Sequence, residues 1–159
     1  MIHITENILK ITKQELPATY DIIVDGNLTF DDRIKMAFIS GSRGPSNCYH
    51  PKSDIDISLV LDQEMVNNPL QCENDLSEII GLTVNNWNSS VEIDIALLFA
   101  INSCDFECFY TFPDEHGCKL ISPDCFGIYK IQKGFDGFVP KIGVDVDKVF
   151  PIGMIWSRV

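Results

Sequence analysis

Phe38-Ile39-Ser40-Gly41-Ser42-Arg43-Gly44, followed after a polar stretch by Ser53-Asp54-Ile55-Asp56-Ile57-Ser58-Leu59-Val60-Leu61, decides how this chain folds. Ile34 to Ser40 reads as a buried strand. It runs straight into Gly41-Ser42-Arg43-Gly44-Pro45, a composition that the interior of a helix or strand does not tolerate, so a loop must follow. In the second stretch Ile55, Ile57 and Leu59 fall on one face of a strand, and Asp54, Asp56 and Ser58 fall on the other. Two carboxylates therefore share a face close to a glycine-rich bend.

Outward from this pair, residues 69 to 82 carry Leu70, Leu76, Ile79 and Ile80 among polar residues, which suits an amphipathic helix ending at Gly81. Val91 to Leu97 alternates as a strand with Val91, Ile93 and Ile95 toward the core, leaving Glu92 and Asp94 together on the opposite face. Upstream, Ile2, Ile4, Ile8, Leu9 and Ile11 suggest a short helix that stops at Pro17, and Tyr20 to Val24 reads as a short strand before Asp25-Gly26. Residues 102 to 112 read as helical and 117 to 122 as one more strand. From Ser122 to Val159, glycines and prolines are interleaved with Phe126, Tyr129, Phe135, Phe138, Phe150 and Trp156. Short strands packed through aromatics and a flap over a site are both open readings of that tail. The expected class is α/β in the α+β sense, with a domain over residues 1–121 and an irregular extension over 122–159 packed on it.

The 159 residues suit one globular domain, and an apolar fraction of 45% is too high for a disordered chain. The longest apolar run, Ile95 to Ile101, falls far short of the roughly 18–20 residues of a membrane-spanning helix. The first residues lack the pattern of a secretory signal, so a cytoplasmic protein is expected. A net charge of −11 disfavours DNA or long RNA as partners, because an acidic surface forgoes counterion release. The cysteines, Cys48, Cys72, Cys104, Cys108, Cys118 and Cys125, contain no Cys-x-x-Cys pair, and free thiols are expected ahead of a metal site or a disulfide framework.

The residues at the bend point to polyphosphate chemistry. Gly41 and Gly44 let backbone N–H groups approach an anion, Ser42 adds a hydroxyl donor, and Arg43 offers a planar cation. Asp54 and Asp56 are hard oxygen ligands at a spacing that suits Mg²⁺, an ion that keeps several waters and adds substrate phosphates. The segment is not a Walker A loop, because no Gly-Lys-Ser or Gly-Lys-Thr closes it, and the dinucleotide fingerprint is also missing.

Apolar-Gly41-Ser42, a spacer, Asp54-Ile55-Asp56 and a later acidic strand together resemble the DNA polymerase β-like nucleotidyltransferase superfamily. Its signature separates Gly-Ser from Asp-apolar-Asp by about nine to thirteen residues, and here the spacer from Arg43 to Ser53 has eleven. The match spans roughly residues 30 to 100 and is similar to the small bacterial and archaeal nucleotidyltransferase-domain proteins. It implies a nucleotidyltransferase fold, a mixed sheet with helices packed on one side. It also implies that the Gly41-Ser42-Arg43 turn touches a nucleoside triphosphate and that Asp54, Asp56 and Asp94 hold two Mg²⁺ or Mn²⁺ ions. The implied reaction moves a nucleoside monophosphate onto a hydroxyl of a protein or small molecule and releases pyrophosphate.

Plainer readings stand beside these. Asp-Ile-Asp alone is most often the wet face of a strand, and only the upstream Gly-Ser turn changes that balance. Asp145-Val-Asp147 repeats the acidic spacing without such a turn and reads as solvated surface. Glu92 competes with Asp94 for the third position, where the family pattern favours Asp94. Arg43 can pair with one of the chain's many acids instead of phosphate, His50 and Lys52 lie in a loop that is polar by default, and Ser53 orders the approach to Asp54. The tail is too rich in glycine and proline to be the helical acceptor domain of larger superfamily members, which leaves room for a helical partner protein. The competing class is a non-catalytic nucleotide- or partner-binding protein of the same fold, such as an antitoxin-type subunit.

Overall fold

The computed structural model describes residues 1–4, 8, 10–100, 126–132, 134–138 and 152–158. In chain order they form β1 (Ile2–His3), α1 (Lys10–Glu15), α2 (Pro17–Asp25), β2 (Thr29–Phe30), β3 (Ile34–Ser40), β4 (Ile55–Leu61), α3 (Glu73–Asn86), β5 (Ile93–Ala100), β6 (Phe126–Gln132), β7 (Phe135–Phe138) and β8 (Met154–Ser157). Six strands make one mixed sheet in the order β7-β6-β5-β4-β3-β8, and β1 pairs with β2 in a small separate ribbon. Within the six-stranded sheet β4 and β5 run parallel, and every other neighbouring pair is antiparallel. The fold is therefore mixed α/β. No helix among the described residues is long and apolar enough to cross a membrane.

Alternation along the central strands sorts the side chains to two faces. Ile55, Ile57 and Leu59 of β4, Ile95, Leu97 and Phe99 of β5 and Tyr129 of β6 join Ile23 of α2 and Leu76, Ile79 and Ile80 of α3 in the main core. On the opposite face Phe38, Val60, Leu98 and Ile128 form a second, smaller buried cluster with Met36, Ala96 and Met154 against it. Toward the start of β4 and β5 that second face turns polar, because Ser58 and then Asp56 and Asp94 take the same alternating positions.

Four sequence expectations change. The helix expected to carry Ile2 onward starts only at Lys10, and Ile2–His3 pairs with Thr29–Phe30 as a strand. Tyr20 to Val24 is helical, not a strand: Pro17 opens α2, where its missing N–H is no loss, and Thr19 and Ile23 are buried one turn apart. The helix expected to end at Gly81 runs on to Asn86, after a short 3-10 turn at Pro69–Gln71. A side chain at Gly81 would meet open space, so nothing there requires a cap. The helix stops instead at Trp87, whose ring packs over Gly26 and whose indole N–H donates to Val91 O at 2.7 Å. The tail is not irregular where it is described: β6 pairs with β5, β7 with β6, and β8 with the far side of β3, so tail strands flank the central three on both sides. Phe138 stacks edge-on with Tyr129 and Phe99 at centroid distances of 5.0 and 6.0 Å, and Trp156 with Phe30 at 5.0 Å. The short strands packed through aromatics are thus seen. The helix expected over 102–112, the strand over 117–122, Asp145, Asp147 and the cysteines beyond Cys72 lie outside the described residues. Cys48 and Cys72 are free thiols.

Candidate active site

The polar end of the second face is built by strand register. In the antiparallel β3–β4 pair Ser40 lies opposite Asp56, and in the parallel β4–β5 pair Asp56 lies opposite Asp94. Partners across a ladder point to the same side of a sheet, so these two carboxylates stand side by side. Asp54 precedes β4 by one residue and lies close enough for its charge to bear on both Asp56 and Asp94. Of the three acids that the sequence singled out, the sheet sets Asp56 and Asp94 in register, and Asp54 stands just ahead of β4 beside them.

Gly41 closes this arrangement from the side of β3. The chain leaves β3 through a 3-10 turn at Gly41–Arg43, with Gly41 at φ +70°. A Cβ at position 41 would collide with the Asp56 carboxylate where it now lies, and the positive φ of the turn also favours a residue without a side chain. Gly44 is equally constrained, since a Cβ there would lie 2.9 Å from the Ser40 backbone. Gly44 N–H donates to Gly41 O at 3.1 Å and Cys48 N–H to Ser42 O at 3.0 Å, which folds the loop back on itself. The Ser42 hydroxyl makes no hydrogen bond with any described residue.

Arg43 is placed differently from the expectation of a phosphate-facing cation. It is only 3% exposed. Its Nε donates to Ser53 O at 2.8 Å, and its Nη2 reaches His50 O and Pro51 O, both at 3.3 Å. The guanidinium also lies 4.7 Å from the Tyr49 ring centre, and the Arg43 carbonyl accepts from Thr19 Oγ1 at 2.7 Å. All of these contacts clasp the loop between β3 and β4 and tie it to α2. A buried fork with several carbonyl partners is a scaffold that sets where Asp54 enters the sheet. Ser53 helps, its Oγ accepting from His50 N–H at 2.8 Å, as expected of a loop-ordering residue.

Burial and mutual repulsion govern the titration of the cluster. Asp56 is pushed up to about 6, first by burial, then by the charges of Asp94 and Asp54, with Lys130 acting in the opposite direction. Asp94 is also raised, chiefly by burial, then by Asp54 and further by Glu92, and again Lys130 opposes. Glu92 itself is exposed, and its carbonyl accepts from Ile55 N–H at 2.9 Å. Asp56 and Asp94 line an open cleft of about 230 Å³ with Ser40, Gly41, Leu98 and Lys130. Asp54 belongs to a neighbouring polar cavity of about 310 Å³ with Lys52, Ser53, Ser90 and Glu92.

Lys130 was not foreseen. It lies on β6 opposite Ala96, two residues along β5 from Asp94, so it shares the face of the acids. The only hint in the sequence is a single charge inside the apolar run Ile128-Tyr129-Lys130-Ile131; which strand that run joins is a tertiary fact.

Among the described residues no three carboxylate, imidazole or thiol groups already surround a single point as a metal cage would. The donor set nevertheless fits a hard divalent cation. Mg²⁺ is usually held through one or two carboxylates, waters and substrate phosphates. Acids whose proximity raises their pKa values are a site where such a cation relieves the repulsion. No family model, curated protein or solved structure matches this chain.

Proposed function

We propose that the protein is a metal-dependent nucleotidyltransferase of the DNA polymerase β-like kind, moving a nucleoside monophosphate from a nucleoside triphosphate to a hydroxyl of a protein or small molecule. One observation carries the reading: Asp56 and Asp94 stand in register on adjacent parallel strands, with Asp56 seated against a glycine that has no room for a side chain. Asp54, Asp56 and Asp94 would hold Mg²⁺ or Mn²⁺, two ions in the full arrangement. Bound there, the metal supplies Lewis-acid polarisation of the phosphoryl oxygens and lowers the pKa of the acceptor hydroxyl.

The chain's own residues account for the rest. Gly41 and Ser42 present a bend that a phosphate can approach closely, with the Ser42 hydroxyl as donor. Arg43 acts indirectly, by holding the loop that delivers Asp54. Asp94, on the strand next to Asp56, is the group assigned to accept the hydroxyl proton. The acceptor oxygen forms a bond to the α-phosphorus as the bond from that phosphorus to the β-phosphate bridge breaks, and pyrophosphate departs.

Incubating the chain with α-labelled NTPs, Mg²⁺ or Mn²⁺, and protein or small-alcohol acceptors tests the reading. Label should move to an acceptor, and Asp56→Asn should reduce transfer by roughly a thousandfold or more while the melting transition stays cooperative. Transfer unaffected by Asp56→Asn would place the reaction elsewhere. A wild-type chain that transfers nothing but binds a nucleotide or partner would be the non-catalytic, antitoxin-type protein instead.

A further inference from the structure

With Arg43 committed to the loop carbonyls, the cleft must find its cation for an anionic ligand elsewhere. Among the described residues that line it, Lys130 is the only one bearing a positive charge. Register with Ala96 places it on the β6 side of Asp94, while Gly41 bounds the cleft on the opposite, β3 side. Lys130 is half-buried, and it forms no ion pair or hydrogen bond with any described residue. It is near enough to influence both Asp56 and Asp94, yet it is bonded to neither.

An ammonium on a flexible four-carbon stem suits a ligand that arrives with its own charge. A simple counter-ion for the two acids would be expected to sit in direct contact with one of them. A polyphosphate entering the cleft meets repulsion from the carboxylates, and a divalent cation covers only some of its oxygens. The remaining oxygens need a donor from the protein, and charge-assisted contacts of this kind are the strong ones.

We propose that Lys130 is a phosphate-binding residue of this cleft, its ammonium taking a non-bridging oxygen of a nucleoside triphosphate on the β6 side of the carboxylates. The inference rests on the nucleotidyltransferase reading and names the residue that reading lacked: the one that holds the substrate phosphates. Lys130 is a binding and positioning residue, and no proton transfer is assigned to it.

Titration calorimetry on the full chain separates the possibilities, using ATP, GTP, CTP and UTP each with Ca²⁺, and Ca²⁺ alone. The wild type should bind at least one NTP, and Lys130→Met should weaken that binding about tenfold or more. Lys130→Arg should stay within about threefold, because the charge is kept. Ca²⁺ alone should bind Lys130→Met at least as tightly as wild type, since a repelling charge has gone. Equal NTP affinity in Lys130→Met, while Asp56→Asn loses binding, would overturn the role of Lys130 and leave the nucleotide reading standing. Loss of Ca²⁺ binding in Lys130→Met in parallel with NTP would show a structural role and overturn it too. A wild type that binds none of the four NTPs would sink both. Should Lys130→Met fail to melt cooperatively, Lys130→Gln against Lys130→Arg makes the same comparison.

Discussion

The two faces of the six-stranded sheet obey opposite rules, and β4 belongs to both. Toward the helices, Ile55, Ile57, Leu59 and Leu61 are at most 1% exposed, and each such side chain contributes roughly 1.5–3 kcal/mol by leaving water. One residue over, Asp56 faces the cleft, where burial and two neighbouring acids oppose its ionised form. A strand with period two can therefore stabilise the fold with one half of its residues and carry destabilising chemistry with the other half. The cleft face is not polar throughout. It grades from Asp56 and Asp94 through Ser58 and Ala96 to Phe38, Val60, Leu98 and Ile128, so the acids stand at the edge of an apolar cluster that fixes the backbone beneath them.

Substitutions that respect this division should separate stability from chemistry. Ile57→Ala, on the helix face, should cost about 2–5 kcal/mol as a buried large-to-small change. Chemical denaturation would measure it, and transfer per folded molecule should remain within a few fold. Gly41→Ala acts at the boundary between the faces. Its positive φ alone should cost about 1–2 kcal/mol, and displacement of the Asp56 carboxyl should lower transfer by roughly a hundredfold; a melt paired with the label assay reads both. An alanine that leaves transfer unchanged would show that Asp56 does not need its seat against the turn.

Asp56→Asn should have the smallest effect on stability, and with the opposite sign. The folded carboxyl keeps its proton up to about pH 6, against an ordinary value of 3.8. The stability this proton contributes to the metal-free protein is full below about pH 4 and is lost as pH rises through about 6. At pH 7.5 Asn removes that penalty, so the metal-free variant should be more stable by about 1 kcal/mol, a value discounted for solvent screening in an open cleft. The gain should vanish near pH 4, and thermal melts at the two pH values would show it. Metal-dependent transfer should fall on acidification through the same range, because the cluster must be ionised to hold a cation.

Much of this was legible because it is local. The alternation from Ile55 to Leu61 needed no partner to assign its faces, and β3 and β4 have the bounds that their apolar runs suggested. Tyr20 to Val24 misled because a five-residue apolar run has no period long enough to separate strand from helix, and the deciding contacts, Thr19 to the Arg43 carbonyl and Ile23 in the core, are distant in sequence. Arg43 misled for a similar reason: its position beside Gly-Ser suggested an anion, while its partners are carbonyls seven to ten residues downstream.

The sequence by itself determined which side chains could share a face, because alternation along a strand is set by covalent geometry. It determined also that the bend at Gly41 must be free of side chains and that the acids come in pairs. Only the tertiary structure decided that Asp56 and Asp94 are neighbours, that a strand from the tail sets Lys130 beside them, and that Arg43 turns inward. Register between strands, and the choice of which strand lies next to which, depends on how the whole apolar surface is buried at once, and no single segment carries that information.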